Sequence, residues 1–154
     1  MPLFEGLTLR QAAKADVDAI VALLADDPLG QSRERPGDPL YLDAFQALEG
    51  DPNNELWVLD AGNGKIAGVL QLTFIPGLSR MGALRAMIES VRVGDAWQGK
   101  GVGRWLFEQM IARARERGAV LVQLTSDKAR PDALRFYESL GFVASHEGFK
   151  LKLD

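Results

Sequence analysis

The chain has 154 residues, 47% of them hydrophobic and 25% charged, with a formal net charge of −3, no cysteine and one histidine. That length suits a single domain with its own core; the missing thiols exclude disulfides, thiolate metal sites and a Cys nucleophile, and the lone His146 argues against a multi-histidine metal site or a Ser-His-Asp machine. The acidic balance argues against nucleic-acid binding, no apolar run approaches the roughly 20 residues of a membrane span, and the start Met1-Pro2-Leu3-Phe4-Glu5 lacks a signal-peptide pattern, so a cytoplasmic protein is expected.

A short strand opens the chain around Leu7 and Leu9. Asp16 stands where an N-cap belongs, and Val17, Ile20, Val21 and Leu24 fall on one helical face. Pro28 and Gly30 read as the end of that helix, and the polar run from Pro28 to Pro39, with Arg33, Glu34 and Arg35, reads as a loop. Tyr41, Ala44, Phe45 and Leu48 predict a second helix, closed by Gly50. Next come a strand from Glu55 to Asp60, a turn at Gly62-Asn63-Gly64 and a return strand from Ile66 to Phe74. After a loop from Pro76 to Gly82, a longer strand runs from Leu84 to Val93.

The strongest helical pattern follows. Val102, Leu106, Met110 and Ala114 share one face with Phe107 and Ile111 beside them, and Arg113, Arg115 and Arg117 crowd the last turns before Gly118. Val120 to Leu124 reads as a short buried strand, Pro131 as the first position of another helix, and Gly141 as that helix's end. Phe149, Leu151 and Leu153 alternate with Lys150 and Lys152, which predicts a final strand. The expected order is β-α-α-β-β-β-α-β-α-β, a mixed α/β domain over residues 1–154.

Between strand and helix lies Gln98-Gly99-Lys100-Gly101-Val102-Gly103. Glycines there let backbone N–H groups approach a ligand with no Cβ in the way. A helix N-terminus adds unpaired donors and a partial positive charge, so the segment can hold phosphate oxygens. A tight turn that needs glycine only for packing is the alternative. Two other phosphate motifs fail: a P-loop needs Ser or Thr after Lys100 and finds Gly101, and a dinucleotide fingerprint needs glycine where Arg104 stands.

With Gln98, Gly101 and Gly103 in place after Val91-Arg92-Val93, the segment resembles the pyrophosphate loop of the GNAT acetyltransferases, Q/R-x-x-G-x-G/A. Phe136-Tyr137-Glu138-Ser139-Leu140-Gly141-Phe142 resembles the second hallmark of that family. The likeness runs from Leu84 to Phe142 and is only topological before that. It implies a GNAT-like fold, with a mixed, mostly antiparallel sheet flanked by helices, and acetyl-CoA as cosubstrate without a metal. The implied reaction is direct acetyl transfer to a primary amine of a small molecule or peptide. Cofactor contacts would fall on the main chain of Val91, Arg92 and Val93 and on Gln98, Gly99, Lys100, Gly101, Val102, Gly103 and Arg104.

The resemblance makes Tyr137 the proton donor to the departing thiolate, set against a packing role beside Leu134, Phe136 and Leu140. Glu89, on the central strand, is the candidate base, set against a solvent-facing carboxylate or one paired with Arg85 or Arg92; Ser90 would face the other way. Many relatives carry an asparagine where this chain has Arg130, which would meet a CoA phosphate or leave that contact missing. Ser126 and Asp127 also stand near the expected cofactor position.

Acceptor specificity is expected from the two N-terminal helices and the loops at Pro28–Pro39 and Pro76–Gly82. Asp26, Asp27, Asp38, Asp43 and Glu49 would either welcome a cationic amine or form a plain solvated surface. Trp97 reads as a packing or lip residue, and His146 has no assigned role. Two competing readings are an acyl-CoA-binding sensor without chemistry, which the presence of Tyr137 disfavours, and a nucleotide-binding domain. Homodimerisation is compatible with the fold, and the sequence does not decide it.

Overall fold

Gly62, Asn63 and Gly64 take φ of 85°, 55° and 73°, a left-handed run that glycine and asparagine reach at least cost. They turn strand β2 (Asn54–Gly62) back into β3 (Lys65–Ile75). The computed structural model describes residues 4–130 and 132–153. The first three residues of the chain and Pro131, expected at a helix start, lie outside the described residues.

The chain divides into two units, Met1–Gln123 and Leu124–Asp154. The first holds a five-stranded sheet in the order β1-β2-β3-β4-β5, with β1 at Thr8–Gln11, β4 at Arg85–Val93 and β5 at Leu121–Gln123. Neighbours are antiparallel except β4 and β5, which are parallel. On one face Val58 and its partner Val69 pack against Ile20 of α1 (Val17–Ala25). Val17 and Val21 meet Phe45 of α3 (Leu40–Glu49). Between them lies α2 (Pro28–Arg33), and a single turn, α4 (Ser79–Gly82), follows β3. The long helix α5 (Val102–Glu116) buries Val102, Leu106, Phe107, Met110 and Ala114, the stripe its periodicity predicts. The second unit carries one helix, α6 (Ala133–Ser139).

Three expectations need correction. Pro28 and Gly30 do not close a helix into a loop; they open α2, where Pro28 takes the first turn and Asp27 accepts the amide of Gly30 as a true N-cap. Asp16 does not cap α1 with its side chain. Its carboxylate instead receives Arg10 at 2.7 and 2.9 Å and the amide of Ala13 at 2.7 Å. The strand expected over Phe149 to Leu153 does not form among the described residues. Alternation supplies a face, but a strand also needs a partner's ladder, and the sheet's pairings end at β5.

One buried carboxylate fastens α5 to the sheet. Glu55, whose side chain is 7% exposed, receives Arg113 Nε and Nη2 at 3.1 and 2.7 Å, Arg117 Nη1 at 3.1 Å and Trp57 Nε1 at 3.0 Å. Arg117 also lies over the Phe74 ring at 3.9 Å. Burial works to raise the Glu55 pKa, but the hydrogen bonds from Arg113 and Trp57 outweigh it and hold the carboxyl below its ordinary range. A depressed carboxylate stabilises the fold fully above about pH 4.3 and loses that contribution as pH falls through its folded pKa. Glu55→Gln should therefore cost about 3 kcal/mol at neutral pH. In urea denaturation the gap to the unsubstituted protein should narrow as the pH is taken below that of an ordinary glutamate.

Candidate active site

Strand β4 is irregular where the motif begins. Gln71 pairs with Glu89 and Val69 with Arg92, so Leu70 of β3 faces two residues of β4, Ser90 and Val91. This is a β-bulge, and Ser90 takes the left-handed φ of 56° that it requires. The extra residue changes which side chains share a face. Gln71 and Val69 lie on one face of β3, so their partners Glu89 and Arg92 lie on that face as well.

Among the described residues of the first unit, the other edge of β4 has a strand partner for only three of its nine residues. The parallel ladder to β5 joins only Arg85, Ala86 and Met87 to Leu121, Val122 and Gln123. Beyond it, Ile88–Val93 keep β3 on one side and meet no strand of this unit on the other. Two carbonyls of this stretch already receive side chains, Val91 O from Arg92 Nη1 at 2.8 Å and Val93 O from Gln98 Nε2 at 2.9 Å.

The loop to α5 follows directly. The Gly94 amide bonds Ala67 O at 2.8 Å, and a Cβ on Gly94 would sit 3.1 Å from Trp97 Cε3. Trp97 is therefore a packing residue that lids the turn. Gly101 precedes α5 with φ of 81°, and the first bond of the helix runs from Trp105 N–H to Gly101 O at 3.1 Å. The amides of Val102, Gly103 and Arg104 thus precede the helical ladder and carry the positive end of the α5 dipole. Gly103 faces Val93, with 3.8 Å between a built Cβ and Val93 Cγ2, so loop and strand are adjacent. Lys100 is exposed, and Arg104 Nε pairs with Glu108 at 3.2 Å.

Glu89 is exposed on the α1 side of the sheet. The two arginines beside it are engaged elsewhere: Arg85 Nη1 donates to Gln123 Oε1 at 3.0 Å, and Arg92 Nε lies 3.1 Å from Asp27 Oδ2. That last pair was not legible beforehand, since Asp27 read as surface acid; the Asp-Pro step that starts α2 was its only signal. Asp38 Oδ1 likewise accepts the amide of Leu40 at 2.9 Å.

In the second unit, Tyr137 lies on α6 with its ring edge-on to Phe136 at 5.5 Å and Phe142 at 6.2 Å. Gly141 makes this contact feasible: its φ of 99° turns the chain so that the Phe142 amide reaches Tyr137 O at 3.1 Å. Asp127 organises a turn, accepting Ala129 N–H on its side chain and Arg130 N–H on its carbonyl, both at 2.9 Å. His146 Nδ1 and Ser145 Oγ are 2.7 Å apart.

The model of the Acetyltransferase (GNAT) family matches residues 17–142. Among curated proteins, the chain is 30% identical to an aminoalkylphosphonate N-acetyltransferase of Salmonella typhimurium over 97% of this chain and 91% of that one. It is 33% identical to a glucosamine 6-phosphate N-acetyltransferase of Trypanosoma brucei brucei, a match that spans 58% of this chain and only 59% of the relative's length. Among solved structures, a transcriptional regulator from Bacillus halodurans C-125 superposes with a TM-score of 0.91 at 49% identity, covering 96% of this chain and 99% of that one. A Trypanosoma brucei acetyltransferase superposes at 0.80 with 26% identity, covering 96% and 99%.

The two loop glycines separate conformation from space. Gly101→Ala forces an L residue into left-handed φ and should cost about 1–2 kcal/mol in urea denaturation. Gly103→Ala meets only an ordinary contact within α5 and should be neutral or stabilise by up to about 1 kcal/mol.

Proposed function

The chain belongs to the GNAT acetyltransferase family, and we propose that it transfers the acetyl group of acetyl-CoA directly to the primary amine of a small molecule or peptide. One observation carries the reading: the bare edge of Ile88–Val93 runs straight into a glycine loop and a helix N-terminus. An unpaired strand edge suits the amides of a pantetheine arm, and the anion site that follows suits the pyrophosphate. Val91, Arg92 and Val93 would serve the first through their main chain. Gln98, Gly99, Lys100, Gly101, Val102, Gly103 and Arg104 would serve the second.

In the proposed step the amine nitrogen attacks the thioester carbonyl carbon, the C–S bond breaks, and the thiolate takes a proton from Tyr137. The proton lost by the amine passes to Glu89, directly or through water. The curated relatives acetylate small amines by name, which supports a small-molecule acceptor. We place the activity in the cytoplasm, in one domain over residues 1–154 that needs no metal, and we leave room for a homodimer.

A second reading is favoured by the regulator of 49% identity: a domain that binds acyl-CoA and signals without chemistry. Release of CoA thiol, followed against a panel of amines, decides between the two. Tyr137→Phe should lower kcat by about 10²-fold, and Glu89→Gln should lower it in the same direction. Tight acetyl-CoA binding with no amine consumed would favour the sensor. Absence of acetyl-CoA binding would overturn both.

A further inference from the structure

A largely buried ion pair joins the bulged strand to the corner between α1 and α2. Arg92 Nε and Asp27 Oδ2 are 3.1 Å apart, with the two side chains 17% and 19% exposed. The same guanidinium donates from Nη1 to Val91 O at 2.8 Å. The other oxygen of Asp27 accepts the amide of Gly30 at the start of α2. That corner has no slack, because a Cβ on Gly30 would fall 1.8 Å from Leu24 O. A continuous set of contacts therefore runs from the α1–α2 corner through Asp27 and Arg92 to a main-chain carbonyl of the bulge.

The bulge makes the pair possible. Without its extra residue Arg92 would face away from Glu89 and from the side of the sheet that carries α1. Two charges drawn this far out of water gain little over an apolar pair of the same size. What the pair adds is a tether: Asp27 Oδ2 draws the guanidinium by charge at 3.1 Å, and its Nη1 donates to Val91 O, tying down the peptide between Val91 and Arg92.

We propose that Asp27 and Arg92 are positioning residues for acetyl transfer, holding the Val91–Arg92 peptide plane so that the open edge of β4 meets the thioester in one orientation. The proposal rests on the reading of that edge as the acetyl-CoA site. Neither side chain has to touch the reacting atoms. A small rotation of this peptide would misplace a thioester bound along the edge, and misplacements of that kind cost up to about 10²-fold in rate.

Asp27→Asn isolates the effect, because asparagine caps a helix as well as aspartate does but carries no charge. Arg92→Lys keeps the charge and loses the fork that reaches both Asp27 and Val91 O. Each should lower kcat by roughly tenfold or more while the KM for acetyl-CoA stays within about threefold, since the glycine loop is untouched. Asp60→Asn, which breaks the Arg10–Asp60 pair on β1 and β2, is the control for lost stability and should leave kcat alone. Hydrogen exchange without any ligand reads the clamp by itself: the Val91 and Arg92 amides should exchange about tenfold faster in Asp27→Asn. Unchanged exchange, a kcat within about twofold of the parent in both variants, or an equal loss in Asp60→Asn would overturn the proposal. If Asp27→Asn fails to fold, Arg92→Lys carries the same readouts. Lack of turnover in the unsubstituted protein would count against the acetyltransferase reading, and the exchange rates would still decide the clamp.

Discussion

A carboxylate taken out of water has to be matched or it neutralises itself, and Glu55 is matched by donors from two elements. Arg113 and Arg117 come from the last turns of α5, and Trp57 from its own strand. The cluster fastens the far end of a 15-residue rod to the middle of the sheet. A rod held at one end by charge and along its length by Leu106, Phe107 and Met110 has its other end fixed in space. That other end is the N-terminus, where the glycine loop arrives from β4. The direction in which the helix presents its amides thus depends on an ion cluster at the opposite end of the helix.

Strand β4 divides its work by edge and by half. Its first three residues are paired on both sides and belong to the core, with Ala86 fully buried. Its second half keeps one neighbour, takes the bulge, and turns its remaining polar groups outward. The same strand therefore has the rigidity of a central strand and the unsatisfied backbone of an edge. Few arrangements in a folded chain leave main-chain groups unpaired next to a packed core. Here the early end of the β5 ladder produces one without any special side chain.

Much of this was legible in the sequence because the signals are local. The Gly62-Asn63-Gly64 turn, the buried stripe of α5 and the two glycine motifs each lie within a short window. The rest depends on residues far apart in the chain. Glu55 meets arginines more than 50 residues away, and Arg113 and Arg117 read only as charges suited to a helix C-terminus. Asp27 read as surface acid because its partner lies on β4. Strict alternation along β4 sets Glu89 and Arg92 on opposite faces, and nothing about Ser90, a non-glycine residue, announces that it takes a left-handed φ. The last segment failed for the opposite reason. Its alternation is clear, but periodicity cannot supply a partner strand.

An edge left open for a ligand is equally open to another polypeptide. The stretch Ile88–Val93, with no second strand beside it among the described residues of the first unit, offers the kind of template on which chains add to one another and aggregate. Proteins commonly spoil such templates with a kink or an inward charge, and this strand has both. An incoming regular strand loses register where two residues occupy the space of one, and the guanidinium of Arg92 is turned in toward Asp27. The irregularity that gives β4 its open second half therefore also makes that half a poor template for another regular strand.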